Sequence, residues 1–262
     1  MQPRAKKSLG QHFLADINYC KKIVAFAHVE PHETVVEIGP GTGQLTRILL
    51  QTARHVIAVE FDVEMLECLR QNLAPGLLSR LTLVQADVLQ LDWEDILEDA
   101  PVKIVGNLPY NIATRLLSSM TRVTDRFDSF TFMVQKEVAD RILAGPGNKD
   151  YGYFSLLMEY HFERLRGFNV PPGVFVPKPM VISHVMKLIP RVPEVEISDY
   201  DAFVRLLKRA FQHRRKTLWN NLKSRSDERR LEKALSACRV EPRARPEELS
   251  LQQYACLVRM LN

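Results

Sequence analysis

The chain has 262 residues, a formal net charge of +5 and four cysteines. That length accommodates one large domain and a small one, while no apolar run approaches the ~18 residues of a bilayer-spanning helix. Cys20, Cys68, Cys238 and Cys256 are scattered without a Cys-x-x-Cys pair, so neither a metal site nor a disulfide framework is expected. The basic first residues lead into no apolar segment of signal-peptide type, and a cytoplasmic protein with reduced thiols is the expectation.

In chain order, Thr34 to Ile38 reads as a short buried strand, and helical spacing begins at Gln44 with Leu45, Ile48 and Leu49. Between them, Glu37-Ile38-Gly39-Pro40-Gly41-Thr42-Gly43 is a glycine loop whose backbone can take positive φ and approach a ligand closely. A dinucleotide fingerprint would need glycine where Gln44 stands, and no Gly-Lys-Ser/Thr follows, which excludes a Walker loop. Alone, the loop is not specific, and an ordinary strand–helix turn is the lesser reading of it. His55 to Val59 is a second strand, ending at Glu60, where doubly wound folds grip a ribose diol. Asp62 is placed to start a helix over Val63 to Leu73. Leu81 to Val84 leads into Asp87, which suits an adenine amino group or is a solvated loop acid.

The apolar run Val102 to Val105 stops at Asn107-Leu108-Pro109-Tyr110. This offers a side-chain amide, a carbonyl beside a proline turn, and an aromatic face, three groups able to hold the edge and face of an amino-substituted ring. Further strands are expected near 129–134, 161–168 and 181–188. Alternating β and α units argue for a mostly parallel sheet covered on both faces. Pro190 to Pro193 reads as a linker, dividing a domain of residues 1–192 from one of 193–262. Beyond it, Phe203, Leu206, Leu207, Ala210 and Phe211 fall at helical spacing, with Ser198 or Asp199 as the cap.

Charge is segregated. Residues 205–245 hold 14 Lys/Arg against 4 Asp/Glu, a local balance of +10 that leaves −5 for the rest. Such a segment favours a polyanion, because each neutralised phosphate releases counterions, although a solvated helical face is the plainer reading.

The glycine loop, Glu60, Ala86-Asp87-Val88 and Asn107-Leu108-Pro109-Tyr110 resemble the successive motifs of S-adenosylmethionine-dependent adenine-N6 methyltransferases. Three segments narrow this to the ribosomal RNA adenine dimethyltransferases, and within them to the small-subunit (16S) branch. Lys7-Ser8-Leu9-Gly10-Gln11-His12-Phe13-Leu14 is similar to their N-terminal signature. Val170-Pro171-Pro172-Gly173-Val174-Phe175-Val176-Pro177-Lys178-Pro179 is similar to their second substrate loop. Phe211 to Leu218 is similar to the basic helix of their C-terminal domain.

The resemblance implies an α/β fold of the class I (Rossmann-like) methyltransferase type, with a seven-stranded sheet whose last strand is antiparallel and a small all-helical C-terminal domain. It implies S-adenosylmethionine as cofactor, with His12, Leu14, Gly39, Gly41, Glu60, Asp87, Val88 and Asn107 around it. Catalysis would fall to Asn107, Leu108, Pro109 and Tyr110, with Phe175 closing the other face of the target base. Arg214, Arg215, Lys216 and Lys223 would contact RNA, and the partner would be 16S rRNA in an immature small ribosomal subunit. No metal and no membrane are implied. The competing readings are a large-subunit adenine methyltransferase of the antibiotic-resistance type, a DNA adenine methyltransferase, and a non-catalytic assembly factor. The DNA enzymes usually carry Asp-Pro-Pro-Tyr, which Asn107-Leu108 does not match.

Overall fold

The computed structural model describes residues 6, 10–97, 101–109, 112–223 and 227–261. By compactness the chain divides into Met1–Ala139 with Leu165–Pro190, and Asp140–Arg164 with Arg191–Asn262. The second unit thus takes in a stretch, 140–164, that lies well upstream of the Pro190–Pro193 linker.

The first unit is an α/β layer structure. Its main strands are β2 (Thr34–Ile38), β3 (His55–Glu60), β4 (Leu81–Gln85), β5 (Val102–Asn107), β6 (Phe127–Gln135), β7 (Phe162–Val170) and β9 (Ser183–Pro190). They form one sheet in the order β4-β3-β2-β5-β6-β9-β7. The strands β4, β3, β2, β5 and β6 are mutually parallel, and β9 runs antiparallel to β6. Continuous apolar runs such as Val56–Val59 are what strands covered on both faces require. A two-stranded antiparallel sheet, β1 (Phe13–Leu14) with β8 (Phe175–Val176), is not legible in the sequence because two residues carry no period.

Helices flank the sheet. Helix α1 (Ile17–Ala27) is capped by Asp16, and α2 (Gln44–Thr52) begins directly after Gly43. Helix α3 (Val63–Asn72) is capped by Asp62, whose carboxylate accepts from the Glu64 amide at 3.1 Å. The short α4 (Pro75–Leu78) precedes β4, α5 (Ala113–Met120) follows β5, and α6 (Lys136–Leu143) follows β6. Ile23, Val24, Leu45, Leu49, Val35, Val56 and Val105 are among the residues that close the core between α1, α2 and the sheet.

The second unit is helical: α7 (Tyr153–His161), α8 (Tyr200–Ala210), α9 (Leu218–Leu222), α10 (Glu228–Ala237) and α11 (Leu251–Leu261). Its core gathers Tyr151, Phe203, Leu207, Leu218, Leu231, Leu235, Tyr254 and Leu257. Asp199 caps α8, accepting from the Ala202 amide at 2.8 Å.

Two expectations are corrected here. Residues 211–217 form a turn between α8 and α9 rather than a basic helix. Asn221 causes this by accepting from the His213 amide and donating to its carbonyl, both at 3.2 Å, which holds the chain in a reversal before Thr217 caps α9. The cysteines are not all reduced: Cys238 and Cys256 form a disulfide with a Cα–Cα distance of 5.6 Å, while Cys20 and Cys68 are free and buried. Packing of α10 against α11 brings together two thiols whose sequence spacing carries no signal.

Candidate active site

The carboxyl ends of β2, β3, β4 and β5 open onto one cavity of about 270 Å³, the position at which open α/β sheets bind ligands. Gly39 and Gly41, Glu60, Asp87 and Val88, and Asn107, Leu108 and Pro109 all line it, together with His12. The sheet therefore brings together, from separate strand ends, most of the residues expected to hold a cofactor.

Each is placed by local chemistry. Gly39 and Gly41 have φ of +67° and +52°, values that side chains resist. A Cβ on Gly41 would also lie 2.8 Å from the Phe13 ring, so the glycine is needed for the N-terminal segment to sit on the loop. Gly106 solves a second problem of approach: a Cβ there would meet the Ile38 carbonyl at 2.7 Å. Its bareness lets β5 lie against β2, in register Ile38 with Gly106, and sets Asn107 beside Gly39.

Glu60 accepts from the Asp62 amide at 3.0 Å. Burial raises its pKa, opposed by backbone N–H groups of Asp62, Gly41 and Phe61 that favour the charged form. A part-buried carboxylate of this kind suits a pair of ribose hydroxyls. Asp87 lines the cavity, yet its carboxylate already receives the Leu89 amide and the Gln90 side chain, both at 3.0 Å. A carboxylate offers about four acceptor sites, so capacity remains for a purine amine.

Behind the loop, Glu37 on β2 is only 1% exposed, and burial pushes its carboxyl up to about 8. The glycine-loop motif by itself assigns this residue no role.

The Asn107 side-chain nitrogen donates to the His12 carbonyl at 2.9 Å. With the nitrogen so engaged, the amide oxygen is what the carboxamide can offer a ligand. Leu108 is buried, its amide donating to the Met133 carbonyl at 3.0 Å. The Pro109 carbonyl starts α5, accepting from the amides of Ile112 at 3.1 Å and Ala113 at 3.2 Å.

Other expected site residues lie elsewhere. Tyr110 falls outside the described residues. Leu14 does not line the cavity; its side chain is in the core, which leaves only its backbone to reach a ligand. Phe175 is 3% exposed and packs in that same core, so in this conformation it has no free face for a base. Arg214 donates to the carbonyls of Lys149 and Tyr151, an anchoring contact inside the helical unit. Arg214 is nonetheless exposed, as are Arg215, Lys216 and Lys223.

The structure also adds lining residues that the motifs do not include. Phe61 is 62% exposed at the cavity wall, where a large apolar ring is normally hidden. Its position directly after the strand-end Glu60 is the available signal. Gln11 and Arg115 line the cavity as well. Among the described residues no group of three or more His, Cys, Asp or Glu could hold a metal, and no helix is long and apolar enough to cross a membrane.

Comparison with known proteins agrees with this geometry. The profile of the family described as "Ribosomal RNA adenine dimethylase" matches residues 2–262. A Streptococcus agalactiae protein called "Ribosomal RNA small subunit methyltransferase A" is 41% identical, over 98% of this chain and 92% of its own length. One of the same name from Geobacter metallireducens is 39% identical, over 98% and 96%. Among solved structures, the 23S rRNA methyltransferase ErmE is 27% identical with a TM-score of 0.72, over 95% of this chain and 99% of that one. A dimethyladenosine transferase from Plasmodium falciparum reaches a TM-score of 0.75 at 23% identity, over 94% and 96%, a likeness of fold. With a strand-end cavity of this make-up and a profile spanning nearly every residue, the chain belongs to the ribosomal RNA adenine dimethylase family of methyltransferases.

Proposed function

We propose that the protein uses S-adenosylmethionine to dimethylate the N6 amines of two adjacent adenosines near the 3′ end of small-subunit (16S) rRNA, acting late in small-subunit biogenesis in the cytoplasm. The observation that carries this reading is the convergence of Gly39, Glu60, Asp87 and the Asn107–Leu108–Pro109 edge on one cavity. The residues fit the cofactor: two positive-φ glycines for close backbone approach, Glu60 for the ribose, Asp87 and Val88 for the purine edge, and the exposed Phe61 ring for its face. The cofactor supplies, when bound, a sulfonium methyl that needs no further activation.

The chain's own task is then alignment and charge stabilisation. Adenine N6 is a weak nucleophile because its lone pair is delocalised into the ring. Asn107 Oδ1 and one backbone carbonyl accept the two N6 hydrogens, drawing the nitrogen toward tetrahedral geometry and stabilising its developing positive charge. Leu108 supplies that carbonyl, since the Pro109 carbonyl is engaged by Ile112 and Ala113. Tyr110 stacks on the base, worth ~1–3 kcal/mol. Phe175, buried as it is, anchors the loop and does not serve as a second stacking face. The target base must be extruded or unpaired to present N6. Arg215, Lys216 and Lys223 contact phosphates and read shape rather than sequence.

Relatives named for the small subunit share 41% and 39% identity, against 27% for the 23S enzyme, which favours the small-subunit substrate. The test is methyl transfer to undermethylated small and large ribosomal particles, read by mass spectrometry of the rRNA. Dimethyladenosine in the small-subunit RNA is expected. Label confined to large-subunit RNA would establish the resistance-type reading, and no transfer to either particle would leave a binding role.

A further inference from the structure

His12 faces two ways. Its backbone carbonyl receives the Asn107 side-chain nitrogen at 2.9 Å, and its ring Nδ1 lies 2.8 Å from the Pro177 carbonyl oxygen. A carbonyl oxygen can only accept, so Nδ1 carries the hydrogen and donates it. The residues that follow are laid along the same segment. Phe13 pairs with Val176, Leu14 with Phe175, and the Ala15 amide donates to the Val174 carbonyl at 2.9 Å. On its other side, the Phe13 ring occupies the space above Gly41. His12 thus joins the edge that holds Asn107 to the far end of the 174–177 segment, beside the backbone pairing of Phe13, Leu14 and Ala15.

We infer that His12 is a positioning residue that couples the cofactor side of the cavity to the 174–177 segment, through its carbonyl on one side and its imidazole on the other. A ligand that orders the Asn107 wall restrains 174–177, and RNA docking that orders 174–177 tightens the wall in return, because coupling between sites is reciprocal. The kinetic consequence rests on the methyl-transfer reading; the structural coupling does not.

The test is hydrogen exchange on the full chain with and without S-adenosylhomocysteine, comparing wild type with three variants. His12→Asn keeps an N–H donor near the place of Nδ1, His12→Gln moves it to the reach of Nε2, and His12→Ala removes it. In wild type and His12→Asn, the ligand slows exchange across 174–177 several-fold. In His12→Ala and His12→Gln that slowing is clearly reduced, the backbone pairing of Phe13, Leu14 and Ala15 retaining the remainder, while exchange at 102–106 still responds to the ligand. In a methylation assay the same two variants raise KM for RNA about tenfold, as removing one hydrogen bond at a wall would, with a smaller change in kcat, and His12→Asn rescues. Undiminished slowing in His12→Ala, absence of slowing in wild type, or a His12→Asn variant as defective as His12→Ala each overturns the inference. If the exchange pattern holds but wild type methylates no ribosomal RNA, the coupling stands and the proposed function fails.

Discussion

Asn107 and His12 are joined by a hydrogen bond whose direction is fixed, since a backbone carbonyl can only receive what the carboxamide donates. This sets which end of the amide meets a substrate. Asn107→Ala is expected to abolish methyl transfer, and Asn107→Asp to lower it ~100-fold or more by setting a carboxylate against the His12 carbonyl. Calorimetry with S-adenosylhomocysteine should show affinity for Asn107→Ala within a few-fold of wild type. Unchanged turnover in the alanine variant would remove Asn107 from the mechanism.

Gly106 is a point of close approach between β5 and β2 at the site. Adding one methyl places it 2.7 Å from the Ile38 carbonyl, and backbone on both sides has little room to yield. Gly106→Ala should destabilise the fold by ~1–3 kcal/mol, seen as a lower Tm, and weaken cofactor binding with it. A variant that melts with wild type would show that the strands part freely there.

Glu37 makes stability depend on pH. Its carboxyl is raised from 4.5 to about 8 by burial, so the folded chain holds that proton more tightly than the unfolded one. The contribution is fully present below about pH 4.5 and is lost as pH rises through about 8. Between pH 5 and 9, wild type should lose stability relative to Glu37→Gln by a few kcal/mol, on the order expected for a shift of this size. Denaturant melts at both pH values give the comparison, and parallel pH curves for the two proteins would contradict it.

In the basic segment Arg214 donates to backbone carbonyls, while Arg215, Lys216 and Lys223 are the charges proposed to meet RNA. Arg215→Ala/Lys216→Ala/Lys223→Ala should make the dependence of log K on log salt shallower by about 2–3, near one for each phosphate that is no longer neutralised. Arg214→Ala, by contrast, removes donors to Lys149 and Tyr151 and should lower Tm. An identical salt slope in the triple variant would place the RNA elsewhere.

The sheet is legible in the sequence because buried parallel strands are written as apolar runs. The parallel strands fall where those runs lie, and the strand-end residues Glu60 and Asn107 follow from them, whereas the edge strand β7 lies at its expected place without being an apolar run, since Glu163, Arg164 and Arg166 interrupt it. Caps are legible for the same local reason: Asp62 and Asp199 each satisfy amides within their own helix. What depends on distant packing is not. The burial of Phe175, the disulfide between Cys238 and Cys256, and the internal use of Arg214 each need a partner far along the chain. Helical spacing through Phe211 also fails to reveal the turn that Asn221 imposes from eight residues downstream of His213.

Because Ile38 and Gly106 are register partners on adjacent, hydrogen-bonded strands, the two halves of the cavity are bolted at the ~4.8 Å spacing of a sheet. The wall they form is therefore rigid, whereas the sheet where Phe13 and Leu14 meet Phe175 and Val176 rests on four residues and is the smaller and more easily peeled of the two among the described residues.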